Sequence, residues 1–492
     1  MRITSSIAAL AALRGAQGLV AKAGDGLTVL TTSGSLDGFV NETAPKVRQW
    51  LGVPYAEPPV GALRFMRPQK KTDAGPIEAT KYSPACMQQR SNATSIYTKY
   101  MREFLINGGE SEDCLYLNVY APLAPTSSKL PVFVYIPGGG FTSGGSNSLY
   151  KIPDQWIERT QSHIVVVMNY RLNIFGYPSA DSAMLNVGLL DQRMVVEWTR
   201  DNIDAFGGDP DKIILWGQSA GAGSVGYFAY AHYSDPIVSG LIADSGAASM
   251  LLKMPHSGFS TLAAMVGCGG GGGDPGKDPE AELTCMQAVN AKVLEDTLST
   301  NAISFTPVAD NVTAFANTTE RLARGLIAPL PLITGSNANE GAAFGAFNES
   351  GLSPGQYENG FAVIGCPVSA EAQRRAGSQL GLATYRYEYA GNFSNISPLP
   401  WIGATHSAEL PLLFGTHYEY RGNSTAFEWD VSGGMQALWL AFANDPSQDP
   451  RDDARGVTWP KYQPGTETMA LFAEGYQVVQ FVGGDRVDRH CS

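Results

Sequence analysis

Short runs of apolar, mostly β-branched residues alternate along this chain with longer amphipathic stretches. "LPVFVYI" (130–136) runs into "PGGGF", and "HIVVVMNY" (163–170) into "RLNIFGYP". "KIILW" (212–216) runs into "GQSAGAG", and "APLPLITG" (328–335) into "SNANEG". Strands with one wet face alternate apolar and polar residues, whereas these runs are apolar throughout, the mark of strands covered on both faces. Stretches such as "LLDQRMVVEWTRDNI" (189–203) carry the helical period and supply the cover. The pattern predicts an α/β fold with a mostly parallel central sheet and helices on both faces. In such sheets ligands bind at the carboxyl ends of the strands, where all four of these Gly-rich loops fall.

One of those loops has a special form. Ser219 stands between Gly217 and Gly221, with a strand before it and a helical pattern after it. A strand that turns directly into a helix holds its central residue in strained backbone geometry and lifts that side chain clear of the sheet. The Ala220 amide then opens a helix, where negative charge is stabilised. A serine hydroxyl is a weak nucleophile near neutral pH and needs a base, which in turn needs an orienting acid. Glu340, in the loop after a later strand, suits the acid, with Asp310 as rival. Among the histidines that follow, His406 lies in a loop before an apolar helical pattern, His417 is its rival, and His490 is in the tail. Backbone amides of Gly139 and Gly140, joined by Ala220, suit an oxyanion hole. The bland alternatives are a turn serine, a solvated loop acid and a structural histidine.

With these residues in place, the chain resembles the type-B carboxylesterases, a family of the α/β-hydrolase fold that includes cholinesterases and fungal lipases. The likeness runs from about Gly52 to Tyr462. It rests on "GVPYAEPPVGALRF", "EDCLYLNVY", "GGGF", "NYRL", "GLLDQRMVVEW", "FGGDP", "GQSAGA", "NEG", His406 with Glu409 three residues on, and "WPKY", all in family order. The resemblance implies a catalytic triad of Ser219, Glu340 and His406 and an oxyanion hole of Gly139, Gly140 and Ala220. Phe141, Gln218 and Phe104 are then expected at the substrate. It also implies disulfides Cys86–Cys114 and Cys268–Cys285, and animal relatives with a disulfide at similar places suggest Cys366–Cys491.

The departures from the family matter too. Pro137 stands where many members have His, and Gln218 where many have Glu. Phe104 falls near the tryptophan that holds choline in cholinesterases. Loss of a charge and of that ring weakens any cation site, so a cholinesterase is not expected. The segment between Glu340 and His406 is shorter than in most relatives around "NESGLSPGQYENG", which removes part of the expected roof.

Composition and charge add the setting. The chain has 492 residues and a net charge of −12 without basic clusters, which argues against nucleic acid as a partner. No run beyond residue 30 is long and apolar enough to span a bilayer. Arg2, the apolar run Ile7–Leu13 and the Ala21–Ala23 site fit a secretory signal peptide over residues 1–23, with one domain over 24–492; the alternative is an ordinary surface helix. Six cysteines and sequons at Asn41, Asn92, Asn311, Asn317, Asn348, Asn392, Asn395 and Asn423 suit the secretory pathway, although Pro398 weighs against Asn395. The glycine-rich stretch 267–279 reads as a surface loop. No cysteine or histidine spacing suits a metal, and no cofactor is expected. The expected activity is that of a secreted serine esterase on neutral carboxylic esters, monomeric or weakly associated. The alternatives are an interfacial lipase with residues 94–105 as lid, a tailoring esterase or transesterase of biosynthesis, and a silent binding protein.

Overall fold

In the computed structural model, residues 26–491 are described except 73, 90–92, 181–182, 184, 251–256 and 270–277. The expected leader, the Asn92 sequon and most of the glycine-rich stretch lie outside the described residues.

The central sheet has eleven strands among the described residues. In chain order they are β1 (Phe39–Asn41), β2 (Ala44–Pro54), β3 (Tyr116–Pro122), β4 (Leu130–Ile136), β5 (Ile164–Met168) and β6 (Gly208–Gln218). Then follow β7 (Gly240–Asp244), β8 (Leu332–Asn337), β9 (Thr384–Tyr389), β10 (Glu467–Phe472) and β11 (Val479–Gly483). Their order in space is β11-β10-β9-β8-β7-β6-β4-β5-β3-β2-β1. Every neighbouring pair from β5 to β10 is parallel. The strands at both edges run antiparallel. This is the α/β-hydrolase arrangement, and the chain forms one domain of it.

The apolar runs show why the sheet is covered twice. Side chains of a strand point alternately to opposite faces. Val132, Val134 and Ile136 of β4 join one hydrophobic cluster, while Phe133 and Tyr135 join another. In the same way Ile213 and Leu215 of β6 part from Ile214 and Trp216.

Five helices are used below: α1 (Ile96–Tyr100), α2 (Val187–Asn202), α3 (Ala220–Ala231), α4 (Pro354–Gly360) and α5 (Ala426–Asn444). Helices α2 and α3 lay Val195, Val196 and Val225 on the first face. Helix α5 lays Leu438, Trp439 and Phe442 on the second.

All six cysteines are paired, as Cys86–Cys114, Cys268–Cys285 and Cys366–Cys491. The first closes the loop that carries α1. The residues expected as a lid form α1, capped by Ser95 and Thr98, and then a 3-10 turn, Arg102–Phe104. Ile96, Met101 and Phe104 are buried in the second cluster. The segment "NESGLSPGQYENG" is ordered as well. Ser353 caps α4 in a reciprocal box with Gln356, and Pro354 opens the helix. No helix of the described residues is long and apolar enough to cross a membrane.

Candidate active site

β6 ends at Gln218 and α3 starts at Ala220, so Ser219 alone makes the turn. Its backbone sits at φ 59° and ψ −122°, a conformation that costs a residue with a Cβ and persists only where the surroundings enforce it. Two contacts enforce it here. The Ser219 N–H donates to the Asp244 carbonyl at 2.8 Å, and the Gly223 N–H donates back to the Ser219 carbonyl at 2.9 Å. The flanking glycines permit the close approach: a Cβ on Gly217 would lie 2.3 Å from the Gly221 carbonyl, and one on Gly221 would lie 2.1 Å from the Ile136 oxygen.

Glu340 and His406 come from two other loops that are tied together. Asn339 and Thr405 form a parallel β-bridge, and the Asn339 N–H donates to the Ala404 carbonyl at 2.9 Å. The Asn337 side chain donates to the Thr405 carbonyl at 2.6 Å, and Asn339 clasps the carbonyls of Trp401 and Ile402. Glu340 Oε2 thereby stands 2.5 Å from His406 Nδ1. The other oxygen of Glu340 accepts from the Ser245 hydroxyl at 2.6 Å and the Asn337 N–H at 2.8 Å. A carboxylate only accepts, so the shared proton belongs on Nδ1 and the Nε2 lone pair faces outward. That lone pair lies 3.0 Å from Gln218 Nε2, whereas Ser219 Oγ makes no hydrogen bond among the described residues.

The rivals are engaged elsewhere. Asp310 caps a turn, accepting from the N–H groups of Val312, Thr313 and Ala314. His417 is buried against Ser424 and Glu428, and burial lowers its pKa. His490 stacks flat on Phe361 and reaches Glu358.

Gly139 and Gly140 follow β4, with φ of 128° and 63°. Among the described residues the N–H groups of Gly139, Gly140 and Ala220 donate to no protein acceptor, and so are available to an oxyanion. Phe141 is buried beside Tyr177 and Tyr227. Phe104 is also buried, packed on Tyr97 and Tyr150.

Further side chains surround these residues. The Tyr97 hydroxyl, on α1, donates to the His406 carbonyl at 2.7 Å. The Phe344 ring lies 5.0 Å from the imidazole. Glu409, already visible as the acid three residues after His406, accepts from the Asn337 amide, and burial raises its pKa well above the carboxylate range. Asp244 sits fully buried under the serine turn. Burial pushes its carboxyl up to about 7, against the pull of donors from Trp216 and Tyr387. Among the described residues no cluster of His, Cys, Asp and Glu is suited to a metal ion.

One expected glycan position is corrected. Asn395 is buried, and its amide nitrogen donates to the His417 carbonyl, Ser424 and Glu428, which leaves no space for a sugar in the folded chain. Asn311, Asn317, Asn348, Asn392 and Asn423 are exposed and Asn41 is half-buried.

The sequence model of the carboxylesterase family matches residues 25–362 and 358–487. A chlorogenic acid esterase of Aspergillus niger is 53% identical over 491 residues, covering 95% of this chain and 94% of its own. Secreted lipase 5 of Gibberella zeae is 38% identical, with 94% of each chain covered. An acetylcholinesterase of Bungarus fasciatus is 29% identical over 90% of this chain and 82% of its own.

Proposed function

The chain belongs to the carboxylesterase family and is a carboxylic ester hydrolase, and we propose that it works through a Ser219–His406–Glu340 triad and an acyl-enzyme. Ser219 Oγ attacks the ester carbonyl carbon while its proton passes to His406 Nε2. The carbonyl oxygen, now negative, is held by the N–H groups of Gly139, Gly140 and Ala220. The tetrahedral intermediate collapses, and the leaving alcohol takes the proton from Nε2. Water then repeats the sequence on the acyl-serine, with Nε2 again accepting and returning the proton. Glu340 holds the Nδ1 proton throughout and stabilises the imidazolium. The observation that carries this reading is the Glu340–His406 contact of 2.5 Å beside a serine held at positive φ.

The substrate is a small ester with an uncharged reacting end, and chlorogenic acid, named for the 53%-identical relative, is the first to try. Gln218 places no charge at the site. The three disulfides and the relative called a secreted lipase favour an extracellular or secretory-pathway location, with residues 1–23 as the leader and glycans at the exposed sequons. Relative kcat/KM for chlorogenic acid, a short-chain aryl acetate and a triglyceride tests the substrate class. The aryl acetate and chlorogenic acid should both react. A rate that appears only above the solubility limit of the triglyceride would make the protein a lipase instead. An acylcholine should show no advantage over its 3,3-dimethylbutyl counterpart, and a preference of about fivefold or more, worth about 1 kcal/mol, would reveal a cation site.

A further inference from the structure

Gln218 is 2% exposed at the end of β6, in register with Asp244 of β7. Its amide reaches the one atom of the imidazole that must receive the serine proton. With the Nδ1 proton shared with Glu340, the neutral ring can only accept at Nε2. The amide nitrogen of Gln218 is therefore the matching partner, 3.0 Å away. Its oxygen faces the Gly138 backbone, where an added Cβ would come within 2.8 Å of it. A Glu at 218 would behave differently. A carboxylate there accepts only, and so would require a second proton on the ring.

We propose that Gln218 is a positioning residue for the base: its amide donates to the bare Nε2 of His406 in the resting protein, keeps the ring in its neutral Nδ1–H form, and yields that lone pair to Ser219 when an ester occupies the site. This rests on the triad reading above. The groups placed around His406 are Glu340 from the loop after β8 at Nδ1, Gln218 at Nε2, the Tyr97 hydroxyl from α1 at the backbone carbonyl, and Glu409 on its own segment, while Asp244 pairs in register with Gln218.

Two variants test it. In Gln218→Glu the added anion favours the imidazolium, so the acid limb of kcat/KM should move up by about one pH unit or more, while activity at alkaline pH is kept far better than at pH 6. In Gln218→Met, similar in size and without a donor, the ¹⁵N signal of His406 Nε2 in the substrate-free protein should shift at pH 8, while the Nδ1–H resonance remains. An unmoved acid limb in folded Gln218→Glu protein, or an unmoved Nε2 signal in Gln218→Met, overturns the proposal. If Gln218→Glu does not fold, the Nε2 signal decides alone. Failure of the triad reading shows separately, as activity that survives His406→Ala.

Discussion

The two sides of the candidate active site are built in different ways. The serine side is local: β6, one turn residue and α3 are contiguous, and seven residues of sequence contain the strain, the small neighbours and a helix N-terminus. The acid–base side is not local. Glu340 and His406 are 66 residues apart, and what unites them is a β-bridge, two asparagine side chains and a hydroxyl from Ser245, the residue that follows β7. The serine side is fixed by backbone geometry, which truncating the Ser219 side chain leaves in place. The acid–base side is fixed by side-chain hydrogen bonds and by close packing, so changes distant in sequence should reach it.

The largest expected effect falls on the local side. Ser219→Ala removes the proposed nucleophile without touching the turn, so kcat should fall on the order of 10⁶-fold. The melting temperature should stay within a few degrees. Near-normal turnover of a pure aryl acetate by the folded variant would take the serine out of the mechanism. On the other side, Glu340→Gln leaves serine and base in place but no longer secures the Nδ1 proton, and kcat should fall less, on the order of 10⁴-fold. Equal losses in the two variants would erase the contrast between them.

The third test concerns stability and joins the sides at Asp244, whose carbonyl holds the Ser219 N–H and whose neighbour Ser245 holds Glu340. Its folded pKa of about 7 is raised, chiefly by burial, above an unfolded value of about 3.9. The folded form thus binds the extra proton. The associated stability is complete below pH ~4 and is lost as pH rises through 7, by about 4 kcal/mol at most. Asp244→Asn keeps an acceptor for Trp216 and lacks this slope, so denaturant titrations should show wild type losing ground to the variant between pH 4 and 7. Parallel curves would place the carboxylate outside the balance.

The smallest effect probes packing behind the acid loop. Gly360 of α4 approaches the Gly341 N–H so closely that a Cβ would lie 2.3 Å from that nitrogen. Gly360→Ala should cost about 1–3 kcal/mol and lower kcat by displacing Glu340. Gly355 lies in the same helix with open space around it. Gly355→Ala should leave kcat unchanged, and a similar loss in both would mean that helix content, not the contact with the acid loop, is at stake.

The sequence by itself determined whatever depends on neighbours along the chain. The parallel sheet followed from runs such as "LPVFVYI" that are apolar throughout, and the serine turn from two glycines at fixed distance. The cysteine pairs followed from the family resemblance. Asp310 and His417 remained open as rivals, because residue type and loop position do not say which side chains are already engaged. Tertiary structure decided that: Asp310 is consumed by its own turn and His417 by Ser424 and Glu428. It also withdrew Asn395 from glycosylation, placed Phe104 in the interior and brought Tyr97, Ser245 and Asn337 to Glu340 and His406. The reason is physical. Backbone strain and strand periodicity act over a few residues, whereas a buried polar group must find its hydrogen-bond partner wherever the fold brings one near.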